Sequence, residues 1–112
     1  MASDDMHVVM FKILAYLYSC MKSGERPERR HYWFDGDVLA IPEAYWARVM
    51  RELSDNGLVT GFVFVAEWGG GVIVRDVDPA ITMRGVEFLR ENSMMRKALA
   101  FLRETKSALP FL

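Results

Sequence analysis

PEAYWARVMRELSDNGLV, residues Pro42 to Val59, is the stretch on which the fold turns. Trp46, Val49, Met50 and Leu53 recur at i, i+3, i+4 and i+7, so they share one face of a helix. Tyr45, Arg48, Glu52 and Asp55 lie on another. Pro42 suits the first turn of such a helix. Gly57 stands where a helix needs a left-handed residue to stop, and Leu58 follows as the apolar contact that often accompanies that cap. The spacing predicts a helix over about 43–56, with its tryptophan side hidden and Glu43, Tyr45, Ala47, Arg48 and Arg51 turned outward.

Downstream, Val59 to Trp68 (VTGFVFVAEW) is rich in β-formers. Phe62, Phe64 and Ala66 alternate with Val63, Val65 and Glu67. Both phases are largely apolar, so cover is expected on both faces. Gly69-Gly70-Gly71 makes a turn, Val72 to Val77 returns as a second strand, and Asp78-Pro79 is expected to end it. Thr82 opens the next helix, its hydroxyl placed to accept from the Gly85 N–H. Val86 and Leu89 face the core. A last helix is expected over about 94–107, with the stripe Met95, Ala98, Leu99 and Leu102.

Upstream, a first helix is expected over about 5–22, capped by Asp4 or Asp5. Val9, Met10, Ile13, Leu14, Leu17 and Met21 make its stripe, and Val8, Phe11, Tyr16 and Tyr18 widen it. A helix this apolar is either central to the fold or shared with a second subunit. Lys22 to His31 is a charged loop. Tyr32-Trp33-Phe34 is taken as a small edge strand, and Asp35 or Asp37 as the cap of a brief helical turn over Val38–Ala40. That turn plus the helix at 43–56 would form a helix-turn-helix over about 37–57. The expected architecture is one α+β domain spanning 1–112: a winged helix-turn-helix of about five helices with a two-stranded wing over about 59–77.

Composition narrows the function classes. Hydrophobic residues are 52% of 112, enough for a real core. Lys and Arg number 14 against 15 Asp and Glu, a formal net charge of −1, which argues against a strongly electrostatic nucleic-acid binder. Cys20 is the single cysteine, so an internal disulfide and a cysteine zinc cluster are both excluded, and its apolar neighbours mark a core thiol. Neither an apolar run of membrane-spanning length nor a basic n-region is present, so a cytoplasmic protein without a membrane partner is expected. His7 and His31 lack acidic or thiol partners at metal-ligand spacing. Gly69–Gly71 is followed by no Lys-Ser/Thr pair, so it is no phosphate loop. With no nucleophile and placed base in view, the expectation is a non-enzyme without cofactor or metal.

The residues Glu43 through Gly61, together with Ile81-Thr82-x-x-Gly85-x-x-Phe88-Leu89-x-Glu91-Asn92, resemble the YjcQ-like family of small phage- and prophage-associated proteins. The resemblance covers roughly Asp37 to Leu109. It implies a winged-helix-like fold and a phage setting, and carries no chemistry with it. The loop 23–33 is longer than the resemblance leads one to expect.

Two functions compete. In the leading one, a small phage-type regulator binds double-stranded DNA. Arg48 and Arg51 reach guanine edges or phosphates, Tyr45 meets a phosphate or a thymine methyl, Trp68 and Arg75 flank the wing, and Arg29 and Arg30 add phosphate contacts. Against it, Arg48–Glu52 and Arg51–Asp55 are ordinary i, i+4 pairs, and Glu25 and Glu28 dilute the Arg29–Arg30 field. In the alternative, the chain is a protein-interaction module that presents Tyr32, Trp33, Phe34, Phe101, Leu109 and Phe111, with Trp68 at the hairpin tip, to a host factor or a second copy. A homodimer through the first and last helices satisfies both.

Overall fold

A computed structural model of the chain describes residues 5–91. Its elements are α1 (Met6–Ser23), a 3-10 turn (Arg29–His31), α2 (Glu43–Asp55), β1 (Val59–Ala66), β2 (Val72–Ile81) and α3 (Met83–Glu91). The architecture is α+β with a two-stranded antiparallel sheet. Three α-helices are found among the described residues rather than about five. The expected last helix, with Phe101, Leu109 and Phe111, lies outside them.

The helical turn expected at Val38–Ala40 does not form. The ring of Pro42 disfavours helical backbone in the residue before it, so a helix cannot run through Ile41 into α2. Instead the segment is pinned to its own loop: the Asp37 N–H donates to Arg30 O at 2.8 Å and the Ile41 N–H to Phe34 O at 2.9 Å. Ala40 takes a φ of 49°, the left-handed region. Gly36 passes so close to Arg30 that a Cβ there would sit 2.0 Å from its carbonyl oxygen. Tyr32-Trp33-Phe34 is likewise no strand. It is a bend whose rings close over α2, with Trp33 4.3 Å and Phe34 5.6 Å from Trp46, centroid to centroid. The Trp46 indole N–H donates to Tyr32 O at 2.9 Å, so the largest core side chain also satisfies its one polar group.

α1 is the central helix, packed against β2, α3 and α2. Val9, Met10, Ile13, Leu14 and Leu17 of its expected stripe are buried, as is Cys20, whereas Met21 in the last turn is exposed. Asp5 holds the N-cap position without a side-chain cap bond, and Gly24 closes the helix in left-handed conformation. α2 hides Trp46, Val49, Met50 and Leu53 as its spacing requires.

The end of α2 is a tight junction. The Gly57 N–H donates to Ser54 O and the Leu58 N–H to Leu53 O, the paired bonds of a Schellman cap, with Gly57 at φ 70°. The Thr82 hydroxyl donates to Gly57 O at 2.6 Å and accepts from the Gly85 N–H at 3.0 Å, so one side chain caps α3 and ties it to the end of α2. Gly85 lets α3 lie against that turn: a Cβ there would be 2.3 Å from Leu58 O.

The hairpin departs from expectation in two ways. β2 continues through Asp78-Pro79 to Ile81. Pairing runs Val59↔Ile81 and Thr60↔Ala80, then shifts to Phe62↔Asp76, so Pro79 sits in an irregular stretch opposite Gly61, where its missing N–H costs no ladder bond. Cover also differs. Phe62, Phe64 and Val74 turn inward, whereas Val63, Val65, Ile73 and Val77 on the opposite face are exposed.

Candidate functional site

α2 and the hairpin enclose an open groove of about 650 Å³, within the roughly 300–1,000 Å³ of ordinary ligand clefts. The helix contributes Glu43, Ala44, Ala47, Arg48, Arg51, Glu52 and Asp55; the hairpin contributes Phe64, Glu67, Gly70, Gly71 and Val72. These positions follow from local structure. The buried stripe of α2 forces the i+1 and i+2 residues outward, and the alternation of β1 turns Phe64 toward the helix.

The electrostatics of this groove differ from those of a phosphate-binding face. Glu43, Glu52, Asp55 and Glu67 stand against Arg48 and Arg51, a formal balance of −2. Arg48 Nη2 lies 3.3 Å from Glu52 Oε1, and Arg51 Nε lies 3.3 Å from Asp55 Oδ2. The Arg51 guanidinium also stands 5.3 Å from the Phe64 ring centroid. Such exposed pairs are worth only about 0–1 kcal/mol and would yield to a stronger partner. The excess of carboxylates, rather than the pairing, shapes the field.

The remaining sequence-predicted residues do not gather around Arg48 and Arg51. Tyr45 is half-buried against the core. Arg75 lies on the outer hairpin face opposite Val63. Arg29 is tied elsewhere: Nε donates to Asp76 Oδ2 at 3.2 Å, Nη2 donates to Oδ1, and the guanidinium stacks 4.1 Å over Trp33. The Tyr32 hydroxyl donates to the same Asp76 carboxylate. These bonds, that from Arg29 first, hold Asp76 below the usual carboxylate range and Arg29 above its own. Arg30 pairs with Glu28 at 3.0 Å and approaches Asp37 at 3.8 Å. Of the predicted interface residues, Tyr32 is buried, and Trp33 and Phe34 pack against the core. Trp68, by contrast, is fully exposed at the hairpin tip next to Glu67.

Two features escaped the sequence. Asp76 anchors two residues more than forty positions away, which no local spacing announces. His31 is fully buried beside Tyr16, with ring centroids 5.0 Å apart and neither ring nitrogen hydrogen-bonded. Glu28 Oε2 approaches its Nε2 at 3.4 Å, off the line of a hydrogen bond. Burial, reinforced by Arg30, lowers the His31 pKa. Burial likewise raises those of the Tyr16 hydroxyl and the Cys20 thiol. Among the described residues, no three His, Cys, Asp or Glu side chains converge as metal ligands. No helix among them is long and apolar enough to cross a membrane.

With this geometry in place, the model of the YjcQ family (YjcQ protein) matches residues 11–108. The chain belongs to the YjcQ family. The match includes every element from α1 to α3 save residues 6–10 of α1, and the whole α2–hairpin groove. No curated protein and no solved structure matches the chain significantly. YjcQ membership therefore brings no substrate, partner or residue role with it, and the groove has to be interpreted from its own chemistry.

Proposed function

We infer that this YjcQ chain is a non-enzymatic protein-interaction module, built as a winged-helix variant, that receives its partner on α2 and the hairpin. The observation that carries this inference is Trp68. It is the most exposed large apolar side chain in the described residues, held at the end of a two-stranded arm beside a net-negative groove. An aromatic in full contact with water buries almost no area within the fold, and Trp is among the residue types most enriched at energetic centres of protein interfaces. Val63, Val65, Ile73 and Val77 extend apolar surface along the arm behind it. A phage or prophage setting fits a host factor as that partner, and a second copy of the chain would meet the same surface. The test is affinity capture after exhaustive nuclease treatment, comparing wild type with Trp68→Ala. The inference expects a complex that survives nuclease and is lost in the variant. Equal recovery by both, or none by either, contradicts it.

DNA binding is the second reading, favoured by one observation: the arginine edge of α2 is open to solvent while its tryptophan side is closed. It places α2 in the major groove, with Arg48 and Arg51 at bases or phosphates and Arg75 at the backbone. It expects anisotropy of a labelled duplex to rise with the protein at about 50 mM salt, to fall steeply by about 200 mM, and to vanish in Arg48→Ala/Arg51→Ala. Absence of any rise at the lower salt removes this reading.

A further inference from the structure

We propose that the α2–hairpin groove seats a cationic, partly apolar peptide segment, its Lys or Arg lodged between Glu43 and Glu67 and an apolar side chain resting on Ala47, Phe64 and Val72. The proposal rests on the protein-interaction reading and names the chemistry of the partner that reading leaves open.

The groove is electrically lopsided. Along the C-terminal part of α2, Arg48 is matched by Glu52 and Arg51 by Asp55, so charges there are cancelled in place. At the end of the groove formed by the start of α2 and the end of β1, here called its mouth, Glu43 and Glu67 line it with no ion pair or side-chain hydrogen bond among the described residues. The chain reverses over Asn56–Leu58, so the start of α2 and the end of β1 fall at the same end of the groove. The N-terminus of α2 adds about half a positive charge there. Against two carboxylates, that still leaves the mouth at about −1.5.

The floor is apolar and partly open. Phe64 is only half-buried, with the Arg51 guanidinium 5.3 Å from its ring, and Ala44 and Ala47 add short apolar side chains to the lining. A cavity with unmatched carboxylates at one end and an aromatic floor selects a ligand of opposite pattern: a cation leading, an apolar group behind. An acidic segment or a nucleic-acid backbone would bring like charge to the mouth. The three glycines after Trp68 permit the tip to adjust to a bound chain, since Gly69 and Gly70 already occupy φ of 95° and 97°.

The test is amide chemical-shift mapping on the isotopically labelled full chain. The probe is an acetylated, amidated eight-residue peptide of repeating Ser-Lys-Leu, with Ser-Glu-Leu and Ser-Gln-Leu peptides as controls. The proposal expects the lysine peptide alone to move the amides of Ala44, Ala47, Phe64 and Gly70–Val72. It expects Glu43→Gln/Glu67→Gln to weaken binding about tenfold, as loss of two exposed pairs at the upper end of their usual strength implies. It further expects Glu43→Lys/Glu67→Lys to shift preference to the glutamate peptide. Retained spectral dispersion shows that the variants fold. Equal binding of all three peptides overturns the proposal, as does perturbation confined to other surfaces. If no peptide enters the groove while the Trp68-dependent complex persists, the partner chemistry is wrong and the interaction reading stands. If that complex is also absent, both fall.

Discussion

Two of the chain's three tryptophans, Trp46 and Trp68, stand in opposite situations. Trp46, at the α2–loop junction, is 1% exposed, ringed by Trp33 and Phe34, with its N–H bonded to Tyr32 O. Trp68, at the hairpin tip, is fully exposed. The arginines divide along the same boundary. Arg29 is fixed by two bonds to Asp76 and a ring beneath it, whereas Arg48 pairs within one turn with Glu52 on an open helix face, and Arg51 adds to its one-turn pair with Asp55 a looser approach to the Phe64 ring at 5.3 Å. Residue type alone does not separate the structural from the available side chains. What separates them is whether a second, distant segment completes the contact.

The sharpest way to break this comparison is to truncate each tryptophan. Trp46→Ala removes a packed ring and strands the Tyr32 carbonyl, and is expected to cost about 3–5 kcal/mol. Trp68→Ala is expected to stay within about 0.5 kcal/mol of wild type. Urea denaturation of both variants checks the contrast, and comparable losses would erase it.

The next effect lies at Asp76. Asp76→Ala leaves the buried Tyr32 hydroxyl without its acceptor and releases Arg29, an expected loss of about 2 kcal/mol. Glu52→Ala and Asp55→Ala, which remove the partners of Arg48 and Arg51, should each cost no more than about 0.5 kcal/mol. Thermal unfolding resolves the difference, since 1 kcal/mol moves the midpoint of a domain this size by roughly 4–8 °C.

A smaller effect separates the two regions by pH. His31 is lowered in the fold by burial first and by Arg30 second, with Glu28 and Asp37 pulling the other way and the Tyr16 ring against it. The folded protein therefore binds its proton less readily than the unfolded chain does. That contribution is complete above the unfolded value of about 6.5 and is lost as pH falls below it toward the folded value. Asp76, also lowered, contributes above about 3.9 and loses its share as pH falls through its folded value. Stability should thus decline in two steps on acidification, and His31→Gln should flatten the first. An unchanged first step in that variant would remove His31 as its source.

The legible parts of the fold were those encoded within a few residues. The i, i+3, i+4, i+7 stripe of α2, the Gly57 cap and the Thr82–Gly85 bond are short-range patterns, and the structure contains each of them. The expected turn at 38–40 and the strand at 32–34 did not form because the loop is held by backbone bonds to Arg30 and Phe34 and by packing of its rings on Trp46, and local propensity encodes neither. The extension of β2 past Pro79 depended on an irregularity at Gly61 eighteen residues upstream, where a positive φ of 88° and close approach to Asp78 exclude a side chain. In the candidate site, the arginine face of α2 followed from periodicity. The groove did not, since Glu67 and Phe64 join it only once the hairpin folds back along the helix.

On the proposed function, the open face of α2 and the hairpin receives a polypeptide and not a duplex. Parallel titration of the labelled chain with the lysine peptide and with a mixed-sequence duplex at about 50 mM salt, where phosphate contacts are strongest, tests it directly. The predicted result is movement of Ala47, Phe64 and Gly71 amides by the peptide, with none by the duplex. Movement of Arg48 and Arg51 by the duplex, abolished at higher salt, with the peptide inert, would contradict it.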